Sequence, residues 1–97
     1  MANFKRGQTV GVPCEIQPGA FPEENLVTIT TDSGVVSGFV KTAYIVRAHG
    51  SSGYVRGTVI EVNPNAVKVR LPGSFFTTAS GVTSVSPSWA RDHLQAA

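Results

Sequence analysis

The stretch Ala66-Val67-Lys68-Val69-Arg70-Leu71 alternates apolar and basic side chains with a period of two. Successive side chains of a β-strand point to opposite faces, so this alternation predicts a strand with one buried and one outward face. Residues 26–30 follow the same pattern, because Val27 and Ile29 alternate with threonines. Two such segments, one in each half of the chain, indicate a β-sheet.

The composition agrees with an all-β fold. The 97 residues include 14 Val, 9 Thr and 4 Ile against 3 Leu, with 10 Gly and 6 Pro available for turns. This length corresponds to one domain or to two very small ones. No apolar run approaches the roughly 20 residues of a membrane span, so we expect a soluble protein with no membrane partner.

The strand-like segments fall into two sets with the same order. The first set is 9–12, 26–30, 35–40 and 42–46, and the second is 54–59, 66–71, 81–85 and 87–90. Val10 lies 45 residues before Val55 and Val40 lies 45 before Val85, whereas residues 27–29 align with 67–69 at an offset of 40. Loop-length changes account for the difference in offset. The two halves are therefore predicted to be copies of one unit.

A C-terminal helix or turn is predicted from residues 86–94. Ser86 is a good N-cap, Pro87 suits the first helical position, and Trp89 and His93 are four residues apart on one face.

Two stretches resemble a known family of small barrels. Ser37-Gly38-Phe39-Val40-Lys41-Thr42-Ala43-Tyr44-Ile45-Val46 resembles the C-terminal signature of bacterial Src-homology-3-like (SH3-like) domains, in which a Gly-aromatic-Val strand leads through a polar turn to an aromatic residue and a last strand. Val85-Ser86-Pro87-Ser88-Trp89 is a shorter form of it, and residues 55–62 with 67–71 look like the related barrels of ribosomal and transcription-elongation proteins. The whole resembles small tandem proteins of actinobacteria and their phages.

This resemblance implies two tandem SH3-like barrels packed together. The first barrel would span residues 1–47 and the second 53–97, with residues 48–52 as a short Gly/Ser-rich linker. In the resembled family, aromatic residues near the positions of Tyr44 and Trp89 line a peptide groove; both could instead close the barrel bottoms. The fold itself leaves the function open.

Catalytic, metal and cofactor sites are not indicated. Cys14 is the single thiol and the chain has 2 His, too few for the usual zinc ligand set. The sequence contains no nucleophile elbow and no glycine-rich phosphate loop. We therefore expect a protein that is not an enzyme and needs no cofactor. The lone cysteine and the missing signal-peptide pattern favour a cytoplasmic location, in the host cell if the chain is encoded by a phage.

Aromatic residues in loops suggest a protein-binding surface. Phe75 and Phe76 are neighbours in a Pro/Gly/Ser loop, so one of them is expected to face outward unless it packs under the neighbouring barrel. Phe21 lies in a similar loop and either faces a partner or covers its own core. The candidate protein-binding residues are Phe21, Tyr44, Phe75, Phe76 and Trp89.

The second half carries the positive charge. Residues 1–46 hold three basic and four acidic residues, whereas residues 47–97 hold five basic and two acidic ones. Arg56, Lys68 and Arg70, with Tyr54 beside Arg56, are expected on one outward sheet face. Such a face could bind nucleic acid or could simply keep the edge soluble.

The sequence thus favours a non-catalytic protein-binding adaptor. Nucleic-acid binding through Tyr54, Arg56, Lys68 and Arg70 is the alternative, and a structural virion or assembly role, with self-association through the apolar loops, is a third.

Overall fold

The computed structural model describes residues 3–75 and 81–96 and is all-β, with a single short α-helix and one 3-10 helix in those ranges. The α-helix, α1, is Pro87–His93, and the 3-10 helix is Thr42–Tyr44. The strands are β1 Thr9–Pro18, β2 Glu24–Thr31, β3 Gly34–Lys41, β4 Ile45–His49, β5 Ser52–Asn63, β6 Ala66–Arg70, β7 Ser74–Phe75, β8 Val82–Val85 and β9 Gln95–Ala96.

The nine strands of the described residues form one antiparallel sheet that is nearly closed into a barrel. Their order is β7-β3-β2-β1-β5-β6-β8, with β4 added to β5 and β9 added to β1. The two ends of this order are the edge strands β7 and β8. The hydroxyl of Ser33, in the β2–β3 turn, donates a hydrogen bond to the carbonyl of Ser84 in the edge strand β8. No α-helix within the described ranges is both long and apolar enough to cross a bilayer.

The two halves of the chain share this sheet. β1 from the first half pairs with β5 from the second, from Thr9 opposite Thr58 to Glu15 opposite Ser52. The last short strand of each half then pairs with the first strand of the other, because β4 pairs with β5 and β9 with β1. The prediction of two separate tandem barrels, 1–47 and 53–97, is not confirmed by this arrangement. Residues 48–52 lie in the hairpin that connects β4 to β5.

One apolar core lies between the halves. The residues that the sequence offsets align are all buried within it: Val10 with Val55, Val27 with Val67, Ile29 with Val69, and Val40 with Val85, each at most 2% exposed. Full burial of such a side chain contributes about 1.5–3 kcal/mol. Each half therefore supplies a matching share of the same core.

Two helical turns precede the short strands β4 and β9. The predicted helix is confirmed, since the Ser86 hydroxyl accepts a 3.1 Å hydrogen bond from the Trp89 backbone N–H and Pro87 begins α1. The prediction of a strand over 42–46 is wrong for residues 42–44, which form the 3-10 helix. The Thr42 N–H donates to the Glu23 carbonyl at 2.9 Å and so continues the β2–β3 register by one residue, after which the Ile45 N–H donates to the Thr42 carbonyl and closes the 3-10 turn.

Candidate binding grooves

The two central strands each have a gap in their pairing. Along one edge of β1, Val10 and Gly11 pair with β9, and pairing with β2 starts at Glu15. Residues 12–14 of β1 lie between these two partners and form the gap. Along one edge of β5, pairing with β4 ends at Val55 and pairing with β6 starts at Thr58, so the gap is at residues 56 and 57. A groove lies beside each gap, and the helical turn before the closing strand contributes one aromatic residue to each. We call the groove at the β1 gap groove A and the groove at the β5 gap groove B.

Groove A encloses about 470 Å³. It includes Trp89 and His93 from α1, Tyr54 from β5, Arg47 from β4 and Glu15 from β1. The Trp89 and His93 rings are stacked with centroids 4.6 Å apart, and His93 Nδ1 donates to the Trp89 carbonyl at 3.1 Å. The sequence spacing predicted this pair on one helix face. The imidazole is thereby held against the indole.

Tyr54 lies across β1. A Cβ built on Gly11 would stand 3.1 Å from the Tyr54 Cβ, closer than most side-chain contacts, so the absence of a side chain at Gly11 lets Tyr54 lean over the strand. On its other side the guanidinium carbon of Arg47 lies 5.9 Å from the Tyr54 ring centroid, within reach of a cation–π interaction. Tyr54 is therefore fixed from two sides.

Arg47 is a groove residue that the sequence analysis missed. Its Nη2 donates a 2.6 Å hydrogen bond to the Ala96 carbonyl in β9, which ties β4 to the end of the second half. Its φ of 52° is the one positive value at a non-glycine residue in the described ranges, at the irregularity in β4 between Val46 and His49. Such strain costs about 1–3 kcal/mol and is typical of functional positions. A bulge has no residue-type signature, so the sequence places Arg47 only at the end of the first predicted unit and gives it no role in a site.

Formal charge in groove A is nearly balanced. Glu15 and Arg47 carry opposite formal charges, and His49 and His93 are the two histidines that also line the groove. Burial raises the pKa of the Cys14 thiol at the groove floor to about 11, so the thiol is neutral near pH 7. Reactive thiolate chemistry at Cys14 is not supported.

Groove B is smaller, about 260 Å³, and is basic. Arg56 of β5 and Arg70 of β6 line it together with Tyr44 of the 3-10 helix, whose side chain is 42% exposed. The predicted basic face is thus divided, because Tyr54 belongs to groove A. Lys68 lines neither groove, and its Nζ lies 3.7 Å from Glu61 Oε2.

The predicted protein-binding aromatics do not form one cluster among the described residues. Phe21 is 65% exposed in the β1–β2 loop, which is held to the 3-10 helix by the bond between Thr42 and Glu23, so Phe21 and Tyr44 lie at the same end of the molecule. Trp89 is half-buried against the core and faces groove A. The backbone of Phe75 pairs with Gly38 in β3, and Phe76 lies outside the described residues.

Comparison of this chain with protein families, with curated proteins and with solved structures found no match. The residues of the two grooves are therefore the basis for a functional proposal.

Proposed function

We propose that the chain is a non-catalytic protein-binding adaptor that holds an extended segment of a partner protein in groove A. The observation that carries this proposal is that Trp89 and Tyr54 line the same groove, with Arg47 fixed over the Tyr54 ring. Aromatic grooves accept extended and proline-rich segments because flat rings pack against apolar side chains while their polar edges bond to the peptide backbone.

The charge of groove A favours a peptide over a phosphate backbone. Glu15 would repel phosphates, and Arg47 already donates one hydrogen bond to Ala96. A peptide segment, by contrast, can place its neutral backbone beside Glu15 and a carboxylate or carbonyl beside Arg47.

We further infer that the two halves are copies of one SH3-like unit that have exchanged their closing strands. In support, β1-β2-β3 of the first half and β5-β6-β8 of the second follow the same order, with β7 as an extra strand in the second half. Each half also contributes a helical turn with one aromatic residue and a short strand that pairs with the other half. The aligned core positions, such as Val10 and Val55, support the same inference. The resemblance to SH3-like domains is the basis for proposing a bacterial or phage origin, and the lone cysteine with the missing signal-peptide pattern is the basis for proposing a cytoplasmic location.

A peptide display selection tests the proposal. Random peptides of about 12 residues are selected on the wild-type chain and counter-selected on Trp89→Leu, which keeps apolar packing but removes the indole. The proposal expects a set of peptides that bind the wild-type chain and lose about tenfold or more in affinity on Trp89→Leu and on Arg47→Ala.

Val62→Ala is the matched control, because Val62 is 44% exposed and lines neither groove. The control should bind the selected peptides as the wild-type chain does. The proposal would be wrong if no enriched peptide depends on Trp89 although circular dichroism shows that the variants are folded.

Light scattering distinguishes the assembly role. The adaptor proposal expects a monomer mass of about 10 kDa at low and high protein concentration. A defined oligomer that is broken by Trp89→Leu would mean that groove A holds a second copy of the chain.

A further inference from the structure

Groove B collects two positive charges that the described part of the protein does not neutralise. Neither Arg56 nor Arg70 forms an ion pair with any residue in 3–75 or 81–96, and no acidic side chain lines groove B. Thr58 faces Arg70 across the β5–β6 ladder, so Arg56, two residues earlier in β5, is the diagonal neighbour of Arg70 at about 7–8 Å between Cα atoms. Two guanidinium groups thus share one short stretch of surface.

One other cation nearby has an acidic partner, because Lys68 Nζ lies 3.7 Å from Glu61 Oε2. Lys41 is the cross-strand partner of Glu24 on the far side of Tyr44 and does not line groove B. Positive charge in groove B itself is therefore concentrated at Arg56 and Arg70, the two cations that line it. That concentration calls for a ligand with a fixed negative charge.

We propose that groove B is a binding site for single-stranded nucleic acid, in which Arg56 and Arg70 contact phosphates and a base stacks on Tyr44. Guanidinium groups match phosphate geometry, and base stacking needs an exposed aromatic ring beside the cations, which Tyr44 supplies at 42% exposure. The threonine hydroxyls of Thr9 and Thr58, which are cross-strand partners in the groove, can donate hydrogen bonds to phosphate oxygens.

The features of groove B favour a nucleic acid over an acidic peptide. A carboxylate-rich segment could satisfy Arg56 and Arg70 but offers no flat ring to cover Tyr44. The volume of groove B, about 260 Å³, is below the roughly 300 Å³ of the smallest small-molecule pockets. A groove of this size fits one nucleotide of a longer strand.

Fluorescence anisotropy of a labelled oligothymidylate of about 12 nucleotides tests the site. For two phosphate contacts on a single strand, the logarithm of the binding constant should fall against the logarithm of the salt concentration with a slope of about −1.4, a loss of about sevenfold from 50 to 200 mM salt. Arg56→Ala and Arg70→Ala should each reduce the slope to about −0.7. Tyr44→Leu should weaken binding about tenfold and leave the slope unchanged.

Two controls remove the same formal charge elsewhere. Lys68→Ala removes a cation already paired with Glu61, and Arg91→Ala removes one paired with Asp92 on α1. Both should leave the affinity and slope close to the wild-type values. Trp89→Leu should also bind the oligonucleotide normally, so failure of the groove A proposal does not affect this one.

Several outcomes would overturn the site. Equal losses on Arg56→Ala and Arg91→Ala would show a diffuse charge effect, and equal affinity for a duplex of the same length would show that no base stacks on Tyr44. Tighter binding of a polyglutamate peptide, with the same dependence on Arg56 and Arg70, would assign groove B to an acidic protein instead. Absence of binding at about 20 mM salt would reject the site outright.

Discussion

The carboxylate of Asp32 accepts hydrogen bonds from the backbone N–H of Ser86, with 3.3 Å from the nitrogen to each carboxylate oxygen. Ser86 is also the N-cap of α1, so one residue both begins the helix and receives the β2–β3 turn. The first half of the chain thereby holds the helix that presents Trp89 to groove A.

Acid should weaken the Asp32 contact. The Ser86 hydrogen bond lowers the pKa of Asp32 below its ordinary value, so its stabilising effect is complete above the unfolded pKa and is lost as the pH falls through the folded one. Urea unfolding between pH 7 and pH 2 should therefore show a smaller acid-induced loss for Asp32→Asn than for the wild-type chain. An Asp32 carboxyl that titrates by NMR at the value of a free aspartate would contradict this.

The shared core should make the two halves unfold together. Val55→Ala removes two buried methyl groups at a position with no exposed surface and should lower the free energy of unfolding by about 2–3 kcal/mol. Val35→Ala, at 54% exposure, should change it by less than about 0.5 kcal/mol. Trp89 fluorescence and far-ultraviolet circular dichroism should report the same urea midpoint in each case, and two separate transitions would show that the halves are independent.

Alkaline pH should destabilise the protein through Cys14. Burial raises the pKa of the Cys14 thiol to about 11 from its ordinary value of 9.0, so between these values the unfolded chain loses the proton while the folded chain keeps it. The free energy of unfolding therefore falls as the pH rises through that window. The decrease in the free energy of unfolding with pH should be smaller in Cys14→Ala than in the wild-type chain. Because lysine and tyrosine side chains are the same in both proteins, their titrations cancel in this comparison. Rapid thiol labelling of folded protein at pH 8 would contradict a buried, neutral Cys14.

The backbone strain at Arg47 predicts a difference between two substitutions. A left-handed φ costs a non-glycine residue about 1–2 kcal/mol, so Arg47→Gly should be more stable than Arg47→Ala by about 1 kcal/mol in urea unfolding. Both variants lose the contact with Tyr54 and should lose the peptides selected for groove A. Equal stability of the two variants would show that the φ of 52° is not a source of strain.

Local patterns in the sequence predicted the longer strands and the helix, but not the 3-10 helix at residues 42–44 or the two-residue strands β7 and β9. The alternation in residues 66–71 identified Val67 and Val69 as core positions, and the Ser86-Pro87 cap located α1. The pairing of β1 with β5 and β9 was not predictable, because the register between distant segments depends on closing long loops rather than on local periodicity.

The sites were predictable to a lesser degree. The equivalence of Tyr44 and Trp89 followed from the repeat, and the structure places one in each groove. The assignment of Tyr54 to the same groove as Trp89 needs the fold of α1 over the sheet, and the role of Arg47 needs a bulge in β4, neither of which residue types reveal.

The pairing of β4 with β5 and of β9 with β1 also constrains how the two grooves can change by mutation. In the proposed two-copy architecture, one half alone would need an identical partner to cover its valine face and complete its first strand, and symmetry would then make both grooves the same. With both halves in one polypeptide that symmetry is absent, so a mutation at residue 44 or 89 alters one groove alone. A neutral aromatic groove and a basic one can therefore coexist within these 97 residues.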